Sequence, residues 1–408
     1  MQHVILGAGP AGVVAAETLC KIDPGSDVTL VAGEDEAPYS RMAIPYVLTE
    51  KIGEDGTHLR KVDGHYAAMG INVVHAHAEA VSPKGGTVKL SNGDTLKYDR
   101  LLVATGAHPI APPVPGLDLP GVHHCWTLED ARAIAGRAQK GANVVLMGAG
   151  FIGCIILESL VERGVNLTVF EAEDRMIPKM MDKTGGDMLK RWCEEKGVTV
   201  LTGTRVAKIE DAGGKLAVSP EKGKTIEAEL VVVATGVAPN AGFLEGSDVK
   251  IEDGIVVDDH LKSSIDGIYA AGDVAEGPDF SGGHMVHAVQ PTSVDHGRIA
   301  ALNMAGKNVT YQGSLIMNVL DMLGLITASF GHWEGGTSRA EQVDADGFRY
   351  TSLSFEDNKL IGALMIGRTD HVGAIRGLIQ KKVKLGAWEG HLKKNPNRIM
   401  DAFVALSQ

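Results

Sequence analysis

The sequence predicts an α/β chain in which one strand–glycine turn–helix–strand unit occurs twice, the second copy inserted in the first, with an α+β segment at the C-terminal end. Three observations predict it. Gly7-Ala8-Gly9-Pro10-Ala11-Gly12 and Gly148-Ala149-Gly150-Phe151-Ile152-Gly153 each follow a short apolar run and open an apolar helical stretch. Each turn is followed by another apolar run that leads to an acid, Glu34 in the first case and Glu171 in the second. Each unit then has a later companion, residues 101–106 and 231–236, that closes on Ala-Thr-Gly.

In chain order, Val4-Ile5-Leu6 reads as a strand, the glycine turn follows, and a helix carries residues 13–19. Asp23-Pro24-Gly25 breaks it before a second strand at residues 28–31. The same grammar returns with a strand at 144–147, a helix through Val161 and a strand at 167–170. Residues 267–273, Gly-Ile-Tyr-Ala-Ala-Gly-Asp, read as a buried strand that completes the first unit after the insertion. From Tyr311 the pattern changes to short alternating strands, among them 350–355 and 360–365. The expected domains are therefore 1–112 with 245–310, 113–244, and 311–408.

Both units have the grammar of a Rossmann dinucleotide-binding domain. In such a turn the first glycine permits the bend, the second lets backbone approach a pyrophosphate, and the third lets helix and strand pack closely. The helix N-terminus then offers unpaired N–H groups and a positive dipole end to phosphate. Glu34 is placed to accept a bond from an adenosine ribose, with Asp35 and Glu36 as alternatives. Glu171 occupies the same place in the second unit, where a carboxylate favours the 2′-hydroxyl of NAD over the 2′-phosphate of NADP; Arg175 stands near enough to offer that phosphate a partner. The expected contacts are Gly7, Gly9, Pro10, Ala11, Gly12, Glu34, Ala104, Thr105 and Gly106 in the first unit. In the second they are Gly148, Gly150, Phe151, Ile152, Gly153, Glu171, Ala234, Thr235 and Gly236, with Phe151 and Ile152 either shaping a nicotinamide pocket or packing the helix.

Composition narrows the function. A net charge of −12 and an aromatic content of 5% argue against nucleic-acid binding. Cys20, Cys125, Cys154 and Cys193 lack CxxC or metal-finger spacing, which excludes a cysteine-ligated cluster within the chain. Residues 315–330 are apolar but interrupted by Asn318, Asp321 and Gly324, and the chain enters its first strand without a leader pattern, so a cytoplasmic protein with no membrane span is expected. His284, His287 and His296 lack a ligand set on one helix face, and no metal is expected there; His123-His124 is read in the same way.

With these motifs assembled, the chain resembles the pyridine nucleotide–disulfide oxidoreductase superfamily over essentially its full length. The two glycine turns, the two Ala-Thr-Gly segments and Ala270-Ala271-Gly272-Asp273-Val274 match in order and spacing. The resemblance implies FAD in the first unit and NAD(H) in the second, with hydride passing between nicotinamide C4 and flavin N5 and no catalytic acid or base. It implies that Gly272 and Asp273 hold the flavin ribityl chain and that Arg41, in Pro38-Tyr39-Ser40-Arg41, lines the FAD. A helix beginning near Thr292 is expected to point its N-terminus at the flavin ring, with Pro291 and Thr292 among the FAD contacts.

Departures from the family pattern narrow the chemistry. Redox-cysteine branches carry Cys-Gly-x-Pro-Tyr, where this chain has Met42-Ala43-Ile44-Pro45-Tyr46, and a thioether forms neither thiolate nor mixed disulfide. A lysine and glutamate that can pair in ferredoxin-reductase relatives correspond to Tyr46 and Ile155, both charges being absent together. Cys154 reads as a small packed residue. The segments 38–46 and 150–156 most resemble FAD-bearing, NAD(H)-coupling subunits of multisubunit enzymes of the phenylglyoxylate dehydrogenase type. The implied partner is an iron–sulfur protein or subunit of a larger 2-oxoacid- or aldehyde-oxidising complex. A freestanding NADH oxidase, or an NADH-dependent ferredoxin- or rubredoxin-type reductase, is the alternative. Residues 376–398 hold seven Lys/Arg against Glu389 alone, either a docking face for an acidic partner or a solvated helix face.

Overall fold

A computed structural model describes residues 1–407, which form two compact units. The first comprises residues 1–47, 52–108 and 237–314; the second comprises 48–51, 109–236 and the chain from Leu315 onward.

The first unit is organised by a five-stranded parallel sheet in the order Ile268–Ala270, Arg100–Val103, Gln2–Leu6, Asp27–Ala32, Ile71–His75. After exposed Gln2 the first strand is buried at every position, as a parallel strand covered on both faces must be. Helices Pro10–Ile22 and Gln290–Met304 pack together, and Gly297 makes their approach possible, since a Cβ there would overlap the Ala11 carbonyl. The second helix begins at Gln290, two residues before Thr292. Pro291 suits its first turn, where a missing N–H costs no helical bond. Among the smaller elements of the unit are the antiparallel meander Ala78–Ser82, Thr87–Leu90, Thr95–Lys97 and the hairpin Ala275–Pro278 with His284–Val286, which Ile255–Val256 joins as a parallel third strand.

The second unit repeats the plan with strands Thr199–Leu201, Asn166–Phe170, Asn143–Met147, Leu230–Val233 and Val122–His124, again all parallel. The duplication extends to the dihedral angles: Gly7 and Gly148 have φ of 108° and 103°, and Gly9 and Gly150 precede their helices at φ −77° and −73°. One edge strand differs. In the first unit it is contributed last, by 268–270; in the second it comes first, from 122–124.

The C-terminal part of this unit is an antiparallel sheet in the order Met317–Met322, Leu325–Gly331, Lys359–Ile366, Arg349–Glu356, Ser338–Asp344, followed by helices Val372–Gln380, Trp388–Lys394 and Ile399–Leu406. Two of its three hairpins turn on Leu323-Gly324 and Asp357-Asn358, all four with positive φ as two-residue turns of this twist require. Helix Lys183–Glu195 meets this sheet through Asp182, Arg191 and Trp192. Asp182, its N-cap, receives both Arg339 and the Tyr350 hydroxyl; Trp192 Nε1 donates to the Met322 carbonyl at 2.8 Å; and Arg191 lies over the Phe348 ring at 4.4 Å. The apolar stretch 315–330 is thus mostly hairpin, and among the described residues no helix is long and apolar enough to cross a membrane. All seven basic side chains of 376–398 are exposed; Lys393 pairs with Glu389, and Arg398 pairs with Asp401 and lies over Trp388.

The core holds a histidine whose protonation must oppose folding. His296 is 1% exposed, its Nδ1 accepts the Gly272 N–H at 3.4 Å, and its ring meets Tyr311 edge to face. Burial, aided by His287, pushes its pKa down to about 4. The unfolded imidazole protonates near its ordinary 6.5, so the stability tied to the neutral ring is present above that pH and is lost as pH falls toward about 4. Buried His3, also shifted down by burial, acts in the same sense. In urea titrations between pH 7 and pH 4.5, His296→Gln is expected to flatten the acid-side loss of stability by at most about 2–3 kcal/mol.

Candidate functional site

Each glycine turn separates two demands. A Cβ on Gly12 would overlap the Gly7 carbonyl oxygen, and one on Gly153 the Gly148 carbonyl oxygen, so these glycines are required by the protein's own packing. Gly7 and Gly148 have left-handed φ values, and a Cβ on either would collide with the carbonyl of Ala104 or Ala234. Gly9 and Gly150 differ: both have extended backbone, and a Cβ on either would meet nothing within 4 Å. Nothing in the fold forbids a side chain there. The open space lies beside a helix N-terminus with no side-chain cap, which is what a pyrophosphate needs.

In the first unit Glu34 is half-buried and held by the segment after it. Tyr39 Oη donates to Oε2 at 2.7 Å and Arg41 Nη2 to Oε1 at 2.5 Å, while Arg41 Nη1 reaches the Tyr39 oxygen at 2.9 Å. The same segment is tied to helix Gln290–Met304 by Ser40 Oγ, which donates to Gln290 Oε1 at 2.5 Å. Asp273 sits on the 3-10 turn Gly272–Val274, close to that helix, and accepts the Ser293 hydroxyl at 3.1 Å. Burial raises its pKa above the ordinary carboxylate value, against the Ser293 bond and the Arg41 charge. A ligand hydroxyl donating to it would relieve that cost. Ala104 is buried; Thr105 exchanges bonds with Asn240, its hydroxyl donating to the Asn240 carbonyl at 2.7 Å and its carbonyl accepting the amide at 2.9 Å. Gly106 has φ 66°. Thr292 bonds Ser314, and Pro291 is exposed on the first turn.

In the second unit Glu171 is buried, and both its oxygens accept backbone N–H groups, from Ala149 at 2.6 Å and Glu173 at 2.8 Å. It therefore braces the glycine turn, with its remaining lone pairs left to a ribose. Phe151 and Ile152 are half-buried in the first helical turn; Thr235 and Gly236 are exposed, and Thr235 Oγ1 donates to the Ile110 carbonyl at 3.1 Å. Arg175, open as a phosphate partner from sequence, spends its guanidinium locally: it donates to Asp174 at 2.8 Å, the Met181 carbonyl at 3.0 Å and the Pro178 carbonyl at 3.4 Å.

The family model of pyridine nucleotide-disulphide oxidoreductases matches residues 1–297. The chain belongs to this family. FAD and NAD(H) are accordingly its cofactors, and it is an FAD-dependent NAD(H) oxidoreductase. It is 28% identical over 400 residues to the epsilon subunit of the NADH-dependent phenylglyoxylate dehydrogenase of Aromatoleum evansii, covering 97% of this chain and 95% of that subunit. It is 30% identical over 390 residues to rhodocoxin reductase of Rhodococcus erythropolis, covering 92% and 88%. A chain of a covalent putidaredoxin reductase–putidaredoxin complex superposes with a TM-score of 0.92 at 22% identity, over 100% of this chain and 99% of that one, a likeness of fold.

Burial raises the pKa of every thiol. Cys154 is fully buried and its pKa lies well above the ordinary value; burial pushes Cys125 and Cys193 up to about 12, and Cys20 is raised too. Met42 and Tyr46 are 50% and 54% exposed, although Ile44 and Leu48 beside them are buried. His284 is exposed, and buried His287 pairs with Asp279 at 3.3 Å. Sequence reasoning missed the Ser40–Gln290 and Asp273–Ser293 contacts, because Gln290 and Ser293 belong to no motif.

The glycine geometry separates binding from folding. Gly12→Ala is expected to destabilise the chain by about 1–3 kcal/mol or more through overpacking. Gly9→Ala should cost about 1 kcal/mol or less while weakening FAD binding at least about tenfold, and Gly150→Ala should do the same to NADH while leaving FAD in place. Chemical denaturation alongside cofactor titration checks both halves.

Proposed function

We propose that the chain is the NAD(H)-coupling flavoprotein of a larger oxidoreductase, exchanging electrons between NAD(H) and an iron–sulfur partner or subunit. The observation that carries this reading is the state of the thiols: Met42 stands where redox-cysteine relatives carry their thiol, and burial raises the pKa of all four cysteines. Electrons that enter from NADH therefore have no thiol within the chain to pass to. Similarity to the dehydrogenase subunit at 97% and 95% coverage supports the subunit role, and a 2-oxoacid or aldehyde as the substrate oxidised elsewhere in the complex.

FAD, when bound, supplies the hydride and single-electron chemistry. The chain's own residues position it. In this reading Gly7, Gly9, Pro10, Ala11 and Gly12 present backbone to the pyrophosphate, Glu34 holds the adenosine ribose, Asp273 accepts from the ribityl hydroxyls, and the first turn at Pro291 and Thr292 directs a helix dipole at the ring. Gly148, Gly150 and Gly153 serve the nicotinamide dinucleotide in the same way, and Glu171 its ribose. Because Asp174 and two carbonyls engage Arg175, and Glu171, Glu173 and Asp174 crowd the same loop with negative charge, NADH is favoured over NADPH.

Anaerobic stopped-flow mixing of the FAD-loaded chain with each nucleotide tests the reading. NADH is expected to bleach the flavin band rapidly and NADPH at least about a hundredfold more slowly, with slow reoxidation on admitting air and fast reoxidation by an iron–sulfur protein. Fast reoxidation by air would replace the subunit reading with a freestanding oxidase, and no bleaching by either nucleotide would remove the catalytic claim.

A further inference from the structure

Residues 52–66 contain none of the expected cofactor contacts, yet they are tied at two points to the structure around Glu34. Glu17 lies midway along helix Pro10–Ile22 and is only 7% exposed. Arg60 grips it with a bidentate fork, Nε to Oε1 at 2.5 Å and Nη2 to Oε2 at 2.6 Å, and His65 Nε2 approaches Oε1 at 2.8 Å. The remaining guanidinium nitrogen, Nη1, donates to the carbonyl of Leu59 at 2.6 Å. The backbone just before Arg60 runs antiparallel to the segment that holds Glu34: Leu59 N donates to the Pro38 carbonyl at 2.9 Å, Ser40 N to the Thr57 carbonyl at 3.0 Å, and Tyr39 bridges His58. Tyr39 and Arg41, on that same segment, bond the two Glu34 oxygens.

We propose that Arg60 and Glu17 are positioning residues for FAD. Their ion pair fixes residues 57–60 to the glycine-turn helix, these residues fix 38–41 by backbone pairing, and Tyr39 and Arg41 then hold the Glu34 carboxylate in the rotamer that meets the ribose. The proposal rests on the reading of Glu34 as the ribose acid. One rigid helix thus references both ends of the adenosine diphosphate moiety, its N-terminus the pyrophosphate and Glu17 the ribose. Net stability is a poor reason to bury such a pair, because desolvation offsets much of the attraction. Its planar fork does fix direction, which a lysine would not. Ordering a binding segment in advance raises affinity by removing the entropy cost of ordering it on binding.

The test is FAD titration of the apo-protein, followed by flavin fluorescence, for the wild-type chain and Arg60→Met, Arg60→Lys, Glu17→Gln, Glu17→Gln with Arg60→Met, and Glu34→Gln. Titrations are run well below each variant's melting midpoint, with NADH affinity as an internal control. Arg60→Met is expected to weaken FAD about tenfold and Arg60→Lys about threefold. The double variant should be no weaker than Arg60→Met alone, and NADH affinity should be unchanged. If Arg60→Met fails to fold, Arg60→Lys decides by the same criterion. A lowered melting midpoint with FAD affinity within about twofold of wild type, while Glu34→Gln still weakens FAD, would overturn the clamp alone and leave an ordinary structural ion pair. A Glu34→Gln chain that binds FAD like wild type would overturn the ribose reading and the clamp with it.

Discussion

The structure depends on a carbonyl oxygen and a missing methyl. Where strand Gln2–Leu6 turns into its helix, the Gly7 carbonyl lies where a Cβ of Gly12 would be, and the same contact recurs between Gly148 and Gly153. That approach seats each helix against its strand and frees the first backbone N–H groups of the helix to face outward. The parallel sheets, the placement of Glu34 and Glu171 at neighbouring strand ends, and the clear space at Gly9 and Gly150 follow from it. A Cβ at the third glycine would push helix from strand and move every one of these groups.

What was legible in the sequence is what this contact dictates. Glycine at three fixed offsets after an apolar run has few other uses, so the turns, their strands and the acids beyond them could be read directly. The Ala-Thr-Gly companions were legible for a similar reason, since Gly106 and Gly236 both carry positive φ. The parts that escaped reading lack local constraint. Arg60 and Glu17 are 43 residues apart and share no motif, so only the fold brings them together. The edge strand Val122–His124 is three residues long and half-buried throughout, too short for any periodicity to show. Helix Gln290–Met304 starts two residues before Thr292, with Pro291 inside its first turn, and helix ends are set by a residue or two of context that no motif marks.

The two acids also show that one motif can be satisfied in two ways. Glu34 is held by side chains, Tyr39 and Arg41, and stays half-exposed; Glu171 is held by backbone N–H groups and is buried. From sequence they are equivalent, each the acid that follows a second strand. In the fold the first depends on a segment that must be ordered separately, whereas the second is set by the turn it braces. Preorganisation in the first unit thus needs an anchor beyond the motif, and that unit is where the Glu17–Arg60 pair is found.

On the proposed reading, Met42 in place of a redox thiol, together with four cysteines whose pKa values are all raised, sets the electron inventory of the chain. A flavoenzyme with a redox-active thiol has a second store beside its cofactor and can take up reducing equivalents from more than one nucleotide before releasing any. On the proposed reading this chain has a single store. On that reading, once one hydride has been received the store is full, so turnover is locked one-to-one to the departure of electrons and a surplus of NADH cannot be buffered.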